Sequence, residues 1–205
     1  ALYTGAINDV LREYMVMDQA LPPEIGPLKE NMKVAGIAFT IKSQPTTQIS
    51  GEMETRARML DEIASGTVVV WDASGDRRAA LWGEVMTATC KRKGVRGAVV
   101  DGGTRDTRQV LAQEFPVFYR YRTSNGSLGR CLITNYQVPI RIGDATIRPG
   151  DIVFGDIDGV LVVPREIAYE VLVRAEEIKG NEKDIRDWVD SGMSVQNIIK
   201  KGGYF

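Results

Sequence analysis

Apolar residues recur at helical spacing from the start of the chain. Ile7, Val10, Leu11 and Tyr14 share one face of a helix predicted over 4–15, with Thr4 as its N-cap. A turn rich in proline (Pro22, Pro23, Pro27) leads to a strand over 34–41. Ser50 is placed as the cap of a second helix, whose Met53, Ala57, Leu60 and Ala64 form its inner face and which ends at Gly66. The run 67–72 (Thr-Val-Val-Val-Trp-Asp) has the unbroken apolar pattern of a buried strand and stops at the turn Ser74-Gly75-Asp76.

The middle of the chain keeps an α/β rhythm. A helix over 81–93 closes at Gly94, a strand follows over 95–100, and Asp101-Gly102-Gly103 turns into a short helix opening at Arg105-Asp106. Residues 116–119 read as another strand. From 138 to 163 the pattern is β, with strands at 140–142, 145–147, 152–154 and 160–163, and hairpin turns at Gly143-Asp144 and Asp158-Gly159. Pro164 opens a long helix that turns Ile167, Val171, Ala175 and Ile178 to one side, and short helices at 185–189 and 195–199 complete the chain, with Gly202-Gly203-Tyr204-Phe205 packing an end. These elements predict one layered α/β domain with two sheets and a helical layer.

Composition narrows the chemistry. The 205 residues are enough for one sizeable core, and 26 basic against 27 acidic side chains leave a formal charge of −1, with no bulk attraction for nucleic acid. There is no histidine, which excludes a Ser-His or Cys-His nucleophile and a His-ligated metal. Catalysis falls to carboxylates, Arg and Lys, hydroxyls, backbone amides or an oxygen-ligated metal. Cys90 and Cys131 form no CxxC motif, no apolar run is long enough to span a membrane, and no signal pattern opens the sequence, so a soluble, cytoplasmic protein is expected.

Candidate chemistry concentrates between Asp72 and Asp106, where strand ends meet small residues and helix starts. Gly83-Glu84-Val85-Met86 lies near a helix N-terminus, whose free amides suit a small anion such as a carboxylate. Each acidic residue here also has a structural role open to it: Asp101 in the glycine turn, Asp106 and Glu84 at helix dipoles. Arg77, Arg78, Arg120 and Arg122 are candidates for a second substrate carboxylate, since guanidinium groups pair with carboxylates in a bidentate fashion.

Twenty residues separate Glu84 from Arg105-Asp106. That spacing, with the stretch from Trp82-Gly83-Glu84 through Gly94-Val95-Arg96-Gly97 to Asp101-Gly102-Gly103-Thr104-Arg105-Asp106 and the later Pro149-Gly150-Asp151, Asp156–Val160 and Val163–Glu166 blocks, resembles the RraA-like family over nearly the whole chain. The family contains class II pyruvate aldolases acting on 4-hydroxy-4-methyl-2-oxoglutarate and 4-carboxy-4-hydroxy-2-oxoadipate, and the regulator of ribonuclease activity A.

The resemblance implies a β/β/α sandwich of swivelling-domain type over 1–205, with 164–205 a helical extension used in oligomer contacts. It implies a trimer or a dimer of trimers, with a neighbouring subunit adding a carboxylate for which Glu182 is a candidate. Asp106 corresponds to the ligand of a Mg²⁺ or Mn²⁺ ion otherwise held by water, Arg105 to the arginine on the keto acid, and Glu84 to the acid beside the metal-bound waters. Gly83 and the amides of Glu84, Val85 and Met86 correspond to the pyruvate carboxylate site. The implied activity is aldol cleavage of a 4-hydroxy-2-keto acid to pyruvate, accompanied by oxaloacetate decarboxylation. The alternative is a non-catalytic protein that inhibits ribonuclease E.

Overall fold

The computed structural model describes residues 2–203. Tyr204 and Phe205, expected to pack an end, lie outside the described residues. The elements run α1 (Thr4–Glu13), β1 (Gly26–Pro27), β2 (Val34–Pro45), α2 (Glu52–Glu62), β3 (Thr67–Asp72), β4 (Ala80–Trp82), α3 (Glu84–Arg92), β5 (Gly97–Thr104) and α4 (Thr107–Ala112). They continue through β6 (Val117–Arg122), β7 (Cys131–Tyr136), β8 (Ile140–Ile142), β9 (Ala145–Ile147), β10 (Ile152–Asp156), β11 (Gly159–Val163), a 3₁₀ turn at Arg165–Ile167, α5 (Ala168–Asp190) and α6 (Val195–Lys200).

Among the described residues nine strands form one mixed sheet in the order β1-β6-β5-β3-β2-β10-β11, with β4 added beside β5 and β7 beside β2; β8 and β9 make a separate hairpin. The central strands β2, β3, β5 and β6 are parallel, and β3 and β5 are buried along their whole length, as their continuous apolar runs require. The sheet curls until its ends nearly meet. Residues 19–21 lie along β11, Leu21 N donating to Val160 O at 2.8 Å and Val162 N to Gln19 O at 2.9 Å, while β1 a few residues later pairs with β6 at the opposite end. The two expected sheets are therefore one nearly closed, barrel-like sheet plus a hairpin.

Helices α2, α3 and α4 cover one face, packing Met59, Met86, Cys90 and Val110 on Phe39, Trp71, Val100 and their neighbours. The β8–β9 hairpin and β10–β11 close over the other, where Ile140, Ile142 and Ile147 meet Val68, Val70, Val99 and Phe118. A third cluster joins α1 and α5 through Ile7, Val10, Leu11, Val171, Ala175 and Ile178 over Leu161 and Val163. The β/β/α layering with C-terminal helices is as expected.

Several local expectations are corrected. Thr4 is the first residue of α1, not its cap; its amide and hydroxyl donate to the buried Asp156 carboxylate at 2.9 and 2.8 Å, so the helix start is satisfied from β10. Helix α2 is preceded by Gly51 at φ +82°, not capped by Ser50. It turns Glu52 and Met59 inward, leaving Met53 59 % exposed. The apolar period misled there because the inward face carries an ion pair, Glu52 with Arg56.

Leu81 and Trp82 belong to strand β4, parallel to β5, and the helix begins only at Glu84. Strand β5 continues through Asp101-Gly102-Gly103 to Thr104 instead of turning. A Cβ on Gly103 would stand 2.6 Å from Tyr121 Cε2 and 2.7 Å from Ala79 O, so the glycine admits neighbours on both sides of a strand and makes no turn. Strand β7 was not anticipated, β6 runs on to Arg122, and the short helix expected at 185–189 is the last stretch of α5.

Candidate functional site

The site forms where β4 and β5 end side by side. Arg105 N donates to Trp82 O at 3.0 Å, which ties the residue after β5 to the strand that leads into α3. Trp82 is fixed in turn by its indole N–H, which donates to Thr87 Oγ1 at 2.9 Å, and by stacking on Phe115. Gly83 and Arg105-Asp106 are thus adjacent in space although twenty-one residues lie between Gly83 and Arg105 in sequence.

Asp106 heads α4 in the left-handed region, with φ 55° and ψ 35°. A non-glycine residue there is uncommon and mildly strained. The conformation turns its carboxylate back to the start of α3, where Oδ2 accepts from Glu84 N at 3.3 Å and lies 3.5 Å from Arg105 Nε. Oδ1 has no partner among the described residues. A Cβ on Gly83 would stand 2.7 Å from Asp106 Oδ2 and 3.3 Å from Arg105 Cγ, so this position must be glycine for the pair to sit as it does. The Arg105 and Asp106 side chains are 48 % and 37 % exposed, and an ion pair this open adds little to stability.

Beyond the pair lies an open cavity of about 390 Å³ lined by residues 104–107 and 122–124. Arg105 and Arg122 supply its positive charge, Thr107, Thr123 and Ser124 its hydroxyls, and Asp106 its carboxylate, whereas the buried Thr104 turns its hydroxyl to Trp82 O. On the other side of Asp106 is the first turn of α3, where the amides of Val85 and Met86 have no acceptor among the described residues.

The structure brings Gly83, the Glu84 amide, Arg105 and Asp106 together. The predicted groups on α3 stand differently from expectation. The Glu84 amide is engaged by Asp106, its carboxylate is exposed with no ion-pair partner among the described residues, and its carbonyl accepts from Gln113 Nε2 at 3.2 Å. Val85 is exposed, whereas the Met86 side chain is buried and its Sδ accepts from Arg56 Nη1 at 3.8 Å.

Of the four arginines considered for a second carboxylate, Arg122 alone lines the cavity. Arg120 is held by Asp101 and by Glu24, and Arg78 by Asp76. Asp72 lies beside Asp101 across β3 and β5, and burial raises its carboxyl pKa above the usual value against the opposing pull of the Ser74 amide and Lys42. Glu182 pairs with Arg186 on its own helix at 3.5 Å. Sequence reasoning missed the contribution of 123–127. A Cβ on Gly126 would stand 2.7 Å from Arg105 Nη1, so this loop packs directly against the guanidinium.

Among the described residues no three carboxylates or thiols converge as a metal cage. One half-exposed carboxylate with a free oxygen beside an open polar cavity fits a hard, hydrated cation that keeps water or substrate oxygens as its other ligands, and does not fit a thiolate or all-protein site. No helix among the described residues is long and apolar enough to cross a membrane.

Comparison with known proteins gives relatives over most of the chain. It is 36% identical over 182 residues to a Halalkalibacterium halodurans protein that carries the provisional name 4-hydroxy-4-methyl-2-oxoglutarate aldolase, covering 88% of this chain and 84% of that one. It is 32% identical over 172 residues to Protein DlpA of Legionella pneumophila, covering 84% of this chain but 28% of that longer protein. A solved structure described as one of novel cellulases from microbes associated with the gut ecosystem superposes with a TM-score of 0.87 at 64% identity, covering 89% of this chain and 82% of that one. Streptomyces coelicolor RraAS2, described as an unusual member of the RNase ES inhibitor RraA family, superposes with a TM-score of 0.81 at 28% identity, covering 90% and 91%. The family model described as Aldolase/RraA matches residues 4–162, the span that builds the curled sheet and the Arg105–Asp106 site, and the chain belongs to this RraA-like family.

Proposed function

We propose that the chain is a divalent-metal-dependent lyase that cleaves a 4-hydroxy-2-keto acid to pyruvate through its enolate and also decarboxylates oxaloacetate. The observation that carries this reading is the Arg105–Asp106 pair, with Asp106 turned by its left-handed backbone to the α3 N-terminus at the edge of a polar cavity. The provisional aldolase name of the Halalkalibacterium halodurans relative supports it.

In this reading Asp106 holds the cation, and a bound Mg²⁺ or Mn²⁺ supplies Lewis-acid charge to the substrate carbonyl. Arg105 presents its guanidinium to the same carbonyl as negative charge develops, where fixed donors count most. The amides of Val85 and Met86, at the positive end of the α3 dipole, receive the pyruvyl carboxylate. Glu84 orders the water that takes the 4-hydroxyl proton, a task its exposed carboxylate can perform without a direct contact. The chain works as a trimer or a dimer of trimers, and Val173, Val189, Val195 and Ile199, exposed on α5 and α6, supply apolar surface for those contacts.

The test is turnover of oxaloacetate and of 4-hydroxy-4-methyl-2-oxoglutarate by the purified protein with added Mg²⁺ or Mn²⁺. Activity that disappears in Asp106→Ala and falls at least a hundredfold in Arg105→Ala supports the reading; no turnover of either substrate overturns it. Cellulose hydrolysis is less well supported. Glycosidases place two carboxyl groups about 5–9.5 Å apart across the scissile bond, and among the described residues Asp106 is the sole carboxylate lining the cavity. A second reading, favoured by the likeness to RraAS2, is a regulator that binds ribonuclease E. Retention of ribonuclease E on the immobilised protein, with no lyase turnover, would decide for it.

A further inference from the structure

Helix α2 carries a buried ion pair that sequence patterning gave no reason to expect. Glu52 is 1 % exposed, and its Oε1 accepts from both Nε and Nη2 of Arg56, the Nε bond at 2.8 Å. Arg56 makes three further contacts. Its guanidinium carbon lies 5.2 Å from the centre of the Trp71 ring, Nη1 donates to Met86 Sδ at 3.8 Å, and Nη2 donates to Ser127 Oγ at 2.9 Å.

Two of these contacts lead to the two halves of the site. Met86 belongs to the first turn of α3, whose amides face the proposed substrate carboxylate. Ser127 belongs to the loop whose Gly126 abuts the Arg105 guanidinium, and that loop is fastened to β4 by Ala80 N donating to Asn125 O at 2.8 Å. Burying a charged pair is costly, and helix packing alone does not call for it, since an apolar residue would fill the space at no desolvation cost. What an arginine adds is a rigid planar fork that can hold several acceptors in fixed directions at once.

We infer that Arg56 is a positioning residue: held by Glu52, it keeps the Ser127 loop and the α3 first turn in register so that Arg105 stays directed at the reacting carbonyl. The catalytic part of this inference rests on the lyase reading above; the structural part does not. Arg56 touches no reacting atom and acts on the reaction through Ser127, Gly126 and Arg105.

The test compares Arg56→Lys, Ser127→Ala, the double variant and Ser127→Thr in the full chain. Lysine keeps a charge for Glu52, so the fold survives, but it cannot serve Glu52, Met86 and Ser127 together. Arg56→Lys and Ser127→Ala should each lower kcat for oxaloacetate about tenfold while KM changes less than threefold. The double variant should be no worse than the more affected single, because both act on one path. Ser127→Thr, which restores the hydroxyl, should return kcat to within about twofold of the parent. Amide hydrogen exchange gives a readout independent of turnover: both impaired variants should exchange faster at 123–130 and at 104–107 than the parent. Parental kcat and parental exchange in Arg56→Lys and Ser127→Ala would overturn the inference, as would loss of kcat that Ser127→Thr does not recover. A parent protein without turnover whose variants still show faster exchange at both segments would overturn the lyase reading and leave the positioning role standing.

Discussion

Substituting Gly83 by alanine separates what this position does for the site from what it does for the fold. The backbone at Gly83 is extended, with φ −172°, which any residue can adopt, so no conformational strain attaches to the change. The new methyl would stand 2.7 Å from Asp106 Oδ2, where ordinary contact begins near 3.4 Å, so the carboxylate must retreat by about 0.7 Å. Its bond from the Glu84 amide, already 3.3 Å long, would be lost.

A misplacement of about 1 Å in a catalytic constellation can cost about a hundredfold in rate, so kcat should fall 10- to 100-fold. Stability should change by no more than about 1 kcal/mol, since the lost N-cap preference for glycine and the reduced freedom of the unfolded chain oppose each other. For a chain of this size that corresponds to at most about 2–4 °C in Tm. Oxaloacetate consumption with Mg²⁺, followed by absorbance, and thermal melting by circular dichroism measure the two quantities. Parental kcat in Gly83→Ala would refute the argument that Asp106 must lie where it does, and a folded fraction too small to assay would show that the glycine serves packing instead.

Asp106→Gly relieves a left-handed non-glycine residue and should raise the unfolding free energy by about 0.5–1 kcal/mol in urea titration while lowering turnover more than a hundredfold. Chelation with EDTA should abolish turnover, restored by Mg²⁺ or Mn²⁺, yet leave Tm unchanged within about 2 °C, because a site with one protein carboxylate adds little binding energy to the folded state. Burial raises the Asp72 pKa above its ordinary 3.8, so the native state holds this proton more tightly than the unfolded chain, and stability falls as pH rises from 3.8 through the raised value. Asp72→Asn should therefore stabilise the protein at pH 7 and give no gain at pH 3, as read from urea midpoints at the two values.

The parts of the fold legible in sequence were those whose signal is local and apolar. Strand β3, the hairpin at Gly143-Asp144 and the inner face of α5 follow from period and turn chemistry alone, and the β10–β11 hairpin does so with its turn one residue earlier than expected, at Ile157-Asp158. The failures share a cause, which is that the deciding partner is distant in sequence. Gly102-Gly103 reads as a turn until Tyr121 and Ala79 are placed beside it, and α2 reads as an apolar helix until Arg56 meets Ser127 and Trp71. The site divides in the same way. Gly83, Arg105 and Asp106 lie within one βα repeat and are brought together by the family resemblance that the Glu84–Arg105 spacing carries, whereas Gly126 and Ser127 come from the far side of β6 and carry no motif. Four arginines of equal standing in sequence separate only in three dimensions, where Arg120 and Arg78 are bound by carboxylates and Arg122 opens onto the cavity.

The packing of α1 on α5 bears on how the chain is made. Ile7, Val10 and Leu11 are completely buried, yet their cover comes from Leu161, Val163 and Val171, and the α1 start is bonded to Asp156. During synthesis at about 5–20 residues per second, this first helix leaves the ribosome roughly 10–30 s before the segment that shields it. For that interval the apolar face of α1 stands without its native cover. The family match ends at residue 162, so a chain cut there would lose Val163, the last residue of β11, together with Val171, Ala175 and Ile178 of α5, and leave α1 with Leu161 but without the rest of its cover.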